Sequence, residues 1–267
     1  MSYRKFIIEI LESASRIANR HFGKASGVRK GKDKNQILTK ADLEIGKYIA
    51  RSIKNSFPTH NIIDEEAGVI DHKSEYTWVV DPIDGTSNFA SGVPTYGIMI
   101  GLLYHGTPIA GGIALPYFKS IAIAEKGKGT LLNGKRIKAS KEGRLINVLI
   151  AYHIDGHTEN PRLTHQESKI IARIVLEARN IRSSSSAFDI VMVAKGGYGG
   201  VVNQTSKIWD NVAPHILIEE AGGKYTDFFG DAMDYANPLK KADDNFTFCA
   251  ASPILHTQLQ KIIRRSE

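Results

Sequence analysis

A single cysteine, Cys249, in 267 residues excludes any intrachain disulfide and fits a reducing compartment, so the expected location is the cytoplasm. It lies in the apolar run FTFCAAS, the setting of a buried inert thiol. No stretch of about 18 or more uncharged apolar residues occurs, so no membrane span is expected. The opening MSYRKFIIEILESASRIANR is charged throughout, without the apolar core and small-residue cleavage site of a secretory signal, and reads as an amphipathic helix. There is no C-x-x-C, no H-E-x-x-H and no EF-hand spacing, and the nine histidines are scattered. Zinc sites built on cysteine or histidine and calcium loops therefore have no support. Internal repeats are missing too. The net charge of +7 has no aromatic-interleaved basic stretch and no nucleic-acid-binding motif beside it. Its basic residues are dispersed except in GKASGVRKGKDK, Gly23 to Lys34, so an anionic small substrate is expected and nucleic acid is not.

What is present suits a soluble globular chain: 42% apolar and 24% charged residues, enough for one large domain or two lobes. Phe6, Ile7, Ile10, Leu11, Ala14, Ile17 and Ala18 recur at helical spacing. The Gly- and Lys-rich segment after them reads as a mobile loop or hairpin. Thr39 is placed to cap a second helix with Ala41, Ile45, Ile49 and Ile53 on one face, stopped by Pro58. NIIDEE and TWVVDP read as short buried strands ending in acids. Tyr96 to Ile137 reads as antiparallel strands with tight turns, Asn133-Gly134 among them. The second half alternates: strand LINVLIAY, helix LTHQESKIIARIVLEA, a serine-rich loop entering helix SSSSAFDIVMVAKGG, strand YGGVVNQ, helix WDNVAPHILIEEAGG, late strands KYTDF and FTFCAAS, and a last helix. Two lobes with an extensive interface are expected, residues 1–139 and 140–267.

Acids at strand ends are the informative feature. Glu65 and Glu66 close IIDEE, Asp81 closes WVVD, Asp84 follows one short turn on, and Asp210 stands at the start of the helix WDNVAPHILIEEAGG. Each has an ordinary explanation alone: Asp-Pro and Asp-Gly make turns, Glu-Glu pairs are solvated, and an aspartate caps a helix. Together, Glu65, Asp81, Asp84 and Asp210 come from three separated segments beside buried sequence. Convergence would require a cation or protonation to offset their repulsion, and carboxylate oxygens suit Mg²⁺, Mn²⁺ or Ca²⁺. Gly85 has no Cβ and would let the backbone at Gly85-Thr86 approach a bound phosphate.

WVVDPIDGTSNFASGVP and WDNVAPHILIEEAGG, together with ILTKADLEIGKYI, FPTHNIIDEEAG and GKGTLLNGKRIKAS in the same order, resemble the inositol monophosphatase family of the lithium-sensitive, metal-dependent phosphatase superfamily. The resemblance spans nearly the whole chain. It implies a layered α-β-α-β-α sandwich of the inositol monophosphatase/fructose-1,6-bisphosphatase kind, two lobes with the active site between them, and a homodimer. It implies Mg²⁺-dependent hydrolysis of a small phosphate monoester with two or three ions, Mn²⁺ able to substitute, and inhibition by lithium. By the same resemblance Glu65, Asp81, Asp84 and Asp210 are side-chain ligands, the Ile83 carbonyl is a further ligand, and Gly85 and Thr86 contact phosphate. Asp42, in a T-x-A-D pattern, partners Thr86; either this pair or Glu65 takes the water's proton. Substrate contacts are expected from Ser185, Ser186 and Asn203, where the sequence departs from the family. Serines replace a glycine/alanine turn, and Asn203 stands where inositol-preferring members place a glutamate. Inositol phosphates, other sugar phosphates, fructose 1,6-bisphosphate, histidinol phosphate and nucleotide 3′-phosphates stay open as substrates. DGTSNF in place of DGTKEF weighs against the nucleotides. An RNA- or protein-binding role with catalysis secondary is the alternative of a different class.

Overall fold

The computed structural model of the chain describes residues 2–24, 27–29 and 37–265. Most of the basic stretch Gly23 to Lys34 lies outside them. Helix α1 (Tyr3–His21) buries the seven apolar residues that set its period. Strands β1 (Val28–Arg29) and β2 (Ile37–Leu38) pair antiparallel. Helix α2 (Lys40–Ser56) starts where Thr39 takes the Ala41 N–H on its hydroxyl at 3.2 Å and gives its own N–H to Asp42 Oδ2 at 2.9 Å.

Strands β3 (Asn61–Asp64), β4 (Gly68–Ile70), β5 (Tyr76–Asp84), β6 (Gly97–Tyr104), β7 (Thr107–Leu115), β8 (Ser120–Glu125), β9 (Thr130–Leu132) and β10 (Lys135–Arg136) form one sheet in the order β10-β9-β8-β7-β6-β5-β3-β4. Only β3 and β5 run parallel in it; the other neighbours are antiparallel. A short helix α3 (Thr86–Ala90) follows β5. The second sheet, of order β12-β11-β13-β15-β14, is built from β11 (Leu149–His153), β12 (Asn180–Arg182), β13 (Gly200–Ser206), β14 (Lys224–Thr226) and β15 (Phe246–Ala251). Its helices are α4 (Pro161–Glu177), α5 (Ala187–Ala194), α6 (Val212–Glu220) and α7 (Pro253–Arg264).

The apolar clusters order these pieces into layers. Phe6, Leu11, Ile45 and Ile49 of α1 and α2 pack on Trp78, Ile98 and Ile100 of the first sheet. Its other face gives Met99, Ile113 and Ala122 to a cluster shared with Ile190 of α5, Leu217 of α6 and Phe248 of β15. Beyond the second sheet, Ile170 and Ile174 of α4 and Leu255 and Leu259 of α7 cover Ile150, Val202 and Cys249. The fold is thus a layered α-β-α-β-α sandwich, with α5 and α6 between the sheets. Burial pushes the Cys249 thiol up to about 12, the inert state its apolar run implied.

Three local features differ from the sequence reading. Leu145–Asn147 is a 3-10 turn, closed by the Val148 N–H on the Leu145 carbonyl at 3.0 Å, so β11 starts only at Leu149. Ile208–Asp210 is also a 3-10 turn and α6 starts at Val212, beyond Asp210. Pro214 explains this second case: without an N–H it fits the first turn of a helix, whereas a helix begun at Trp209 would put it in the interior. Finally, Asp84 is not beyond a turn but is the last residue of β5, which stays paired with β6 across an irregularity between Asp81 and Asp84. Pro82 fits there because a bulge leaves an N–H unused.

Candidate metal centre

In a regular strand, residues three apart face opposite sides. The irregularity in β5 re-aims Asp84 and gives both aspartates to one site. Asp210 arrives from the turn before α6, and a close approach positions that turn. A Cβ on Gly101 of β6 would stand 2.6 Å from Val212 Cγ1 and 2.9 Å from the Ala213 backbone nitrogen. One carboxylate oxygen from each of Asp81, Asp84 and Asp210 lies within 4.8 Å of the others.

Compensation inside this trio is incomplete. Asp84 Oδ2 accepts the Ala187 N–H at the start of α5, and Asp210 Oδ2 accepts the Lys207 N–H at 2.6 Å. Asp81 Oδ1 is sealed from solvent with no hydrogen-bond partner among the described residues. None of the ion pairs among the described residues involves these aspartates. Burial first, then the charges of Glu65 and Asp84, holds Asp81 well above the usual carboxylate range. Burial pushes Asp84 up to about 6, and burial with the Asp84 charge pushes Asp210 up to about 7. A group of acceptor-only oxygens, buried at Asp81 and half-buried at Asp84 and Asp210, and without a paired cationic side chain among the described residues, is suited to a hard divalent ion.

The other residues singled out from the sequence lie around this trio. Glu65 follows β3 and lines the same cleft; its charge acts on Asp81, but it stands outside the 4.8 Å group. The Thr86 hydroxyl is 2.8 Å from the Ile83 carbonyl and 3.3 Å from Asp42 Oδ1, two acceptors for one hydrogen. Asp42 itself is fully buried, with Oδ2 taken up by Thr39. Gly85 has φ +79, and a Cβ there would stand 2.9 Å from Ser186 Cβ and 3.3 Å from the Thr95 carbonyl. Ser185, with φ 47, lines the cleft together with Ser186 and Asn203, and the cleft measures 560 Å³.

Some cleft residues were not anticipated. Asn88 Nδ2 donates to the Thr95 carbonyl at 2.8 Å and the Ser184 carbonyl at 2.7 Å, tying α3 to the serine loop. His153 ends β11 and meets the fully buried Asp189 of α5 at 3.0 Å. Burial alone would lower the His153 pKa, but the hydrogen bond to Asp189 and the charges of Asp189, Asp84 and Asp155 outweigh it and raise it. The sequence did carry a signal for His153: it closes the apolar run LIAY as Asp81 closes WVV.

This layered fold with an acidic cleft between its sheets defines a phosphoric monoester hydrolase. Within that class the chain belongs to the inositol monophosphatase family, whose profile matches residues 2–265. A fructose-1,6-bisphosphatase/inositol-1-monophosphatase of Thermotoga maritima is 30% identical over 259 residues, 97% of this chain and 94% of the relative. A solved Thermotoga maritima IMPase superposes with a TM-score of 0.87 at 27% identity, over 100% of this chain and 98% of that one. A Vibrio cholerae protein named Nus factor SuhB is 32% identical over 208 residues, 76% of each chain.

Proposed function

We propose that the chain hydrolyses small phosphate monoesters with Mg²⁺ held by Asp81, Asp84 and Asp210, joined by Glu65 and the Ile83 carbonyl. The observation that carries this reading is the aspartate trio, Asp81 buried and Asp84 and Asp210 half-buried, with Asp81 Oδ1 without a hydrogen-bond partner and no cationic side chain paired to the group among the described residues. When bound, the divalent ions supply Lewis-acid activation of a water and neutralise phosphate charge. Thr86, backed by Asp42, and Glu65 are the groups that hold or take the proton of that water. The backbone at Gly85 and Thr86 receives the phosphate, at a glycine whose positive φ and close packing on Ser186 and Thr95 leave no room for a side chain. Ser185, Ser186 and Asn203 face the leaving alcohol. Positioning and charge stabilisation, rather than covalent chemistry, are what the chain contributes. Two or three ions, replacement by Mn²⁺, lithium inhibition and a homodimer are the finer parts of the same reading.

Asp84→Asn removes one anionic ligand oxygen with almost no change in volume. Phosphate release in Mg²⁺ should fall by about 100-fold or more, since even the outer partners of metal ligands cost about 10- to 100-fold. Circular dichroism should be unchanged. Full activity in that variant rejects Asp84 as a ligand.

The +7 charge and the relatives named Nus factor SuhB favour a second reading, a partner of RNA or of RNA-handling proteins. Binding of RNA that weakens steeply between two salt concentrations supports it.

A further inference from the structure

Part of the cleft wall is built from two neighbouring parallel strands, β11 and β13. His153 ends β11, and Asn203 lies beside it on β13 in direct register. Register partners on neighbouring parallel strands point to the same face about 4.8 Å apart. Both residues line the cleft.

The polarity of each is fixed from behind. Asn203 Oδ1 accepts the Thr205 N–H at 2.8 Å, a backbone group that can only donate. The amide nitrogen is therefore what Asn203 presents; it has no partner among the described residues and is not sealed from solvent. His153 Nε2 faces Asp189 Oδ2, which also accepts the Ser184 N–H at 3.2 Å. That oxygen is an acceptor, so Nε2 carries a hydrogen and Nδ1 is the ring nitrogen without a hydrogen bond among the described residues. Among the described residues the fully buried Asp189 has no hydrogen-bond partner at Oδ1 and His153 as its only ionic partner. Burial disfavours charge on the His153 ring, but the hydrogen bond to Asp189 and the nearby carboxylates outweigh it and shift the ring toward its doubly protonated form, in which Nδ1 is a second donor. Asp155, another carboxylate on this wall, accepts the Thr205 hydroxyl at 3.2 Å.

Two adjacent donors on neighbouring strands, with the Asp155 oxygen already engaged by Thr205, match an anionic two-oxygen acceptor. We propose that His153 and Asn203 form a carboxylate-recognising subsite, so that the preferred substrate is the phosphate ester of a hydroxy acid. This rests on the hydrolase reading above and specifies its leaving group.

The test compares 3-phosphoglycerate with glycerol 3-phosphate, which share a three-carbon chain and differ in carboxylate against hydroxymethyl. With Mg²⁺ the unaltered chain should favour the acid by about tenfold to a hundredfold in kcat/KM, the range of one charge-assisted hydrogen bond. Glycerate should inhibit release of p-nitrophenol from p-nitrophenyl phosphate, and glycerol should not. Asn203→Asp, which exchanges the donor for an acceptor at constant volume, should bring the ratio to one or below through the KM of the acid ester. His153→Gln should lower it in the same way; the aspartate variant keeps the test decisive if the glutamine variant fails to fold. Equal kcat/KM values in the unaltered chain, or a preference that survives Asn203→Asp, overturn the subsite and leave the hydrolase reading intact. No metal-dependent release from any of the three esters overturns both.

Discussion

Asp81, Asp84 and Asp210 without a cation between them hold protons that ordinary carboxylates release. Their pKa values are raised by burial, to about 6 for Asp84 and about 7 for Asp210. Unfolded aspartates titrate near 4. In the metal-free chain the folded state therefore binds more protons than the unfolded state between pH 4 and 7. Stability from this source is fully present below about pH 4 and is lost as pH rises through 6 to 7. A divalent ion competes with those protons. Thermal melts should show the metal-free chain losing stability from pH 5 to 8, and a stabilising shift with Mg²⁺ that is largest at pH 8 and shrinks toward pH 5. A Mg²⁺ shift that is larger at pH 5 contradicts this. At this scale the acids were legible because they stand beside apolar runs, Asp81 closing WVV, Asp84 three places on and Asp210 just before the run of α6. Their supports were not: the Ala187 N–H on Asp84 and the Ser186 side chain opposite Gly85 join residues about a hundred positions apart, which no local pattern encodes.

Elements place these residues through two devices that sequence patterns express poorly. One is the irregularity in β5. Asp-Pro and Asp-Gly signal a turn or a bulge with the same residue types, and only the ladder to β6 selects the bulge. The other is the contact of α6 with the first sheet. Gly101 sits inside a strand of otherwise apolar residues, and its absent side chain lets Val212 and Ala213 come within van der Waals reach of the strand. Gly101→Val would force α6 outward, and the turn carrying Asp210 with it. Overpacking of this kind costs about 1–3 kcal/mol. Chemical denaturation should report a loss in that range, and titration calorimetry should report a Mg²⁺ affinity reduced by more than tenfold. Unchanged affinity in a folded variant would mean that the approach of α6 does not position Asp210. Helix α2 shows the opposite case: its start, cap and buried face were all readable, because Thr39 and the four-residue spacing of its isoleucines are local signals.

Across the whole molecule, the alternation of strands and helices is readable from periodicity, but the order of the layers is not. Hydrophobic spacing gives each helix a buried face without saying which sheet that face meets. The sandwich followed from resemblance to a family, and the apolar clusters bear it out. The layer of α5 and α6 contributes to one cluster with Met99 and Ile113 from the first sheet and Phe248 and Ala250 from the second. The candidate ligands span the same seam, Asp81 and Asp84 on β5 and Asp210 before α6. A bound ion therefore joins the first sheet to the helix layer that packs in the shared cluster, and its binding energy acts on the folding of both. A ligand at a hundred times its dissociation constant adds about 2.7 kcal/mol to the native state. Scanning calorimetry should show one transition that moves upward as a whole with Mg²⁺, and Asp210→Asn should reduce that movement. Two transitions, with only the earlier one responding to the ion, would mean that the sheets fold apart and that the site belongs to the first alone.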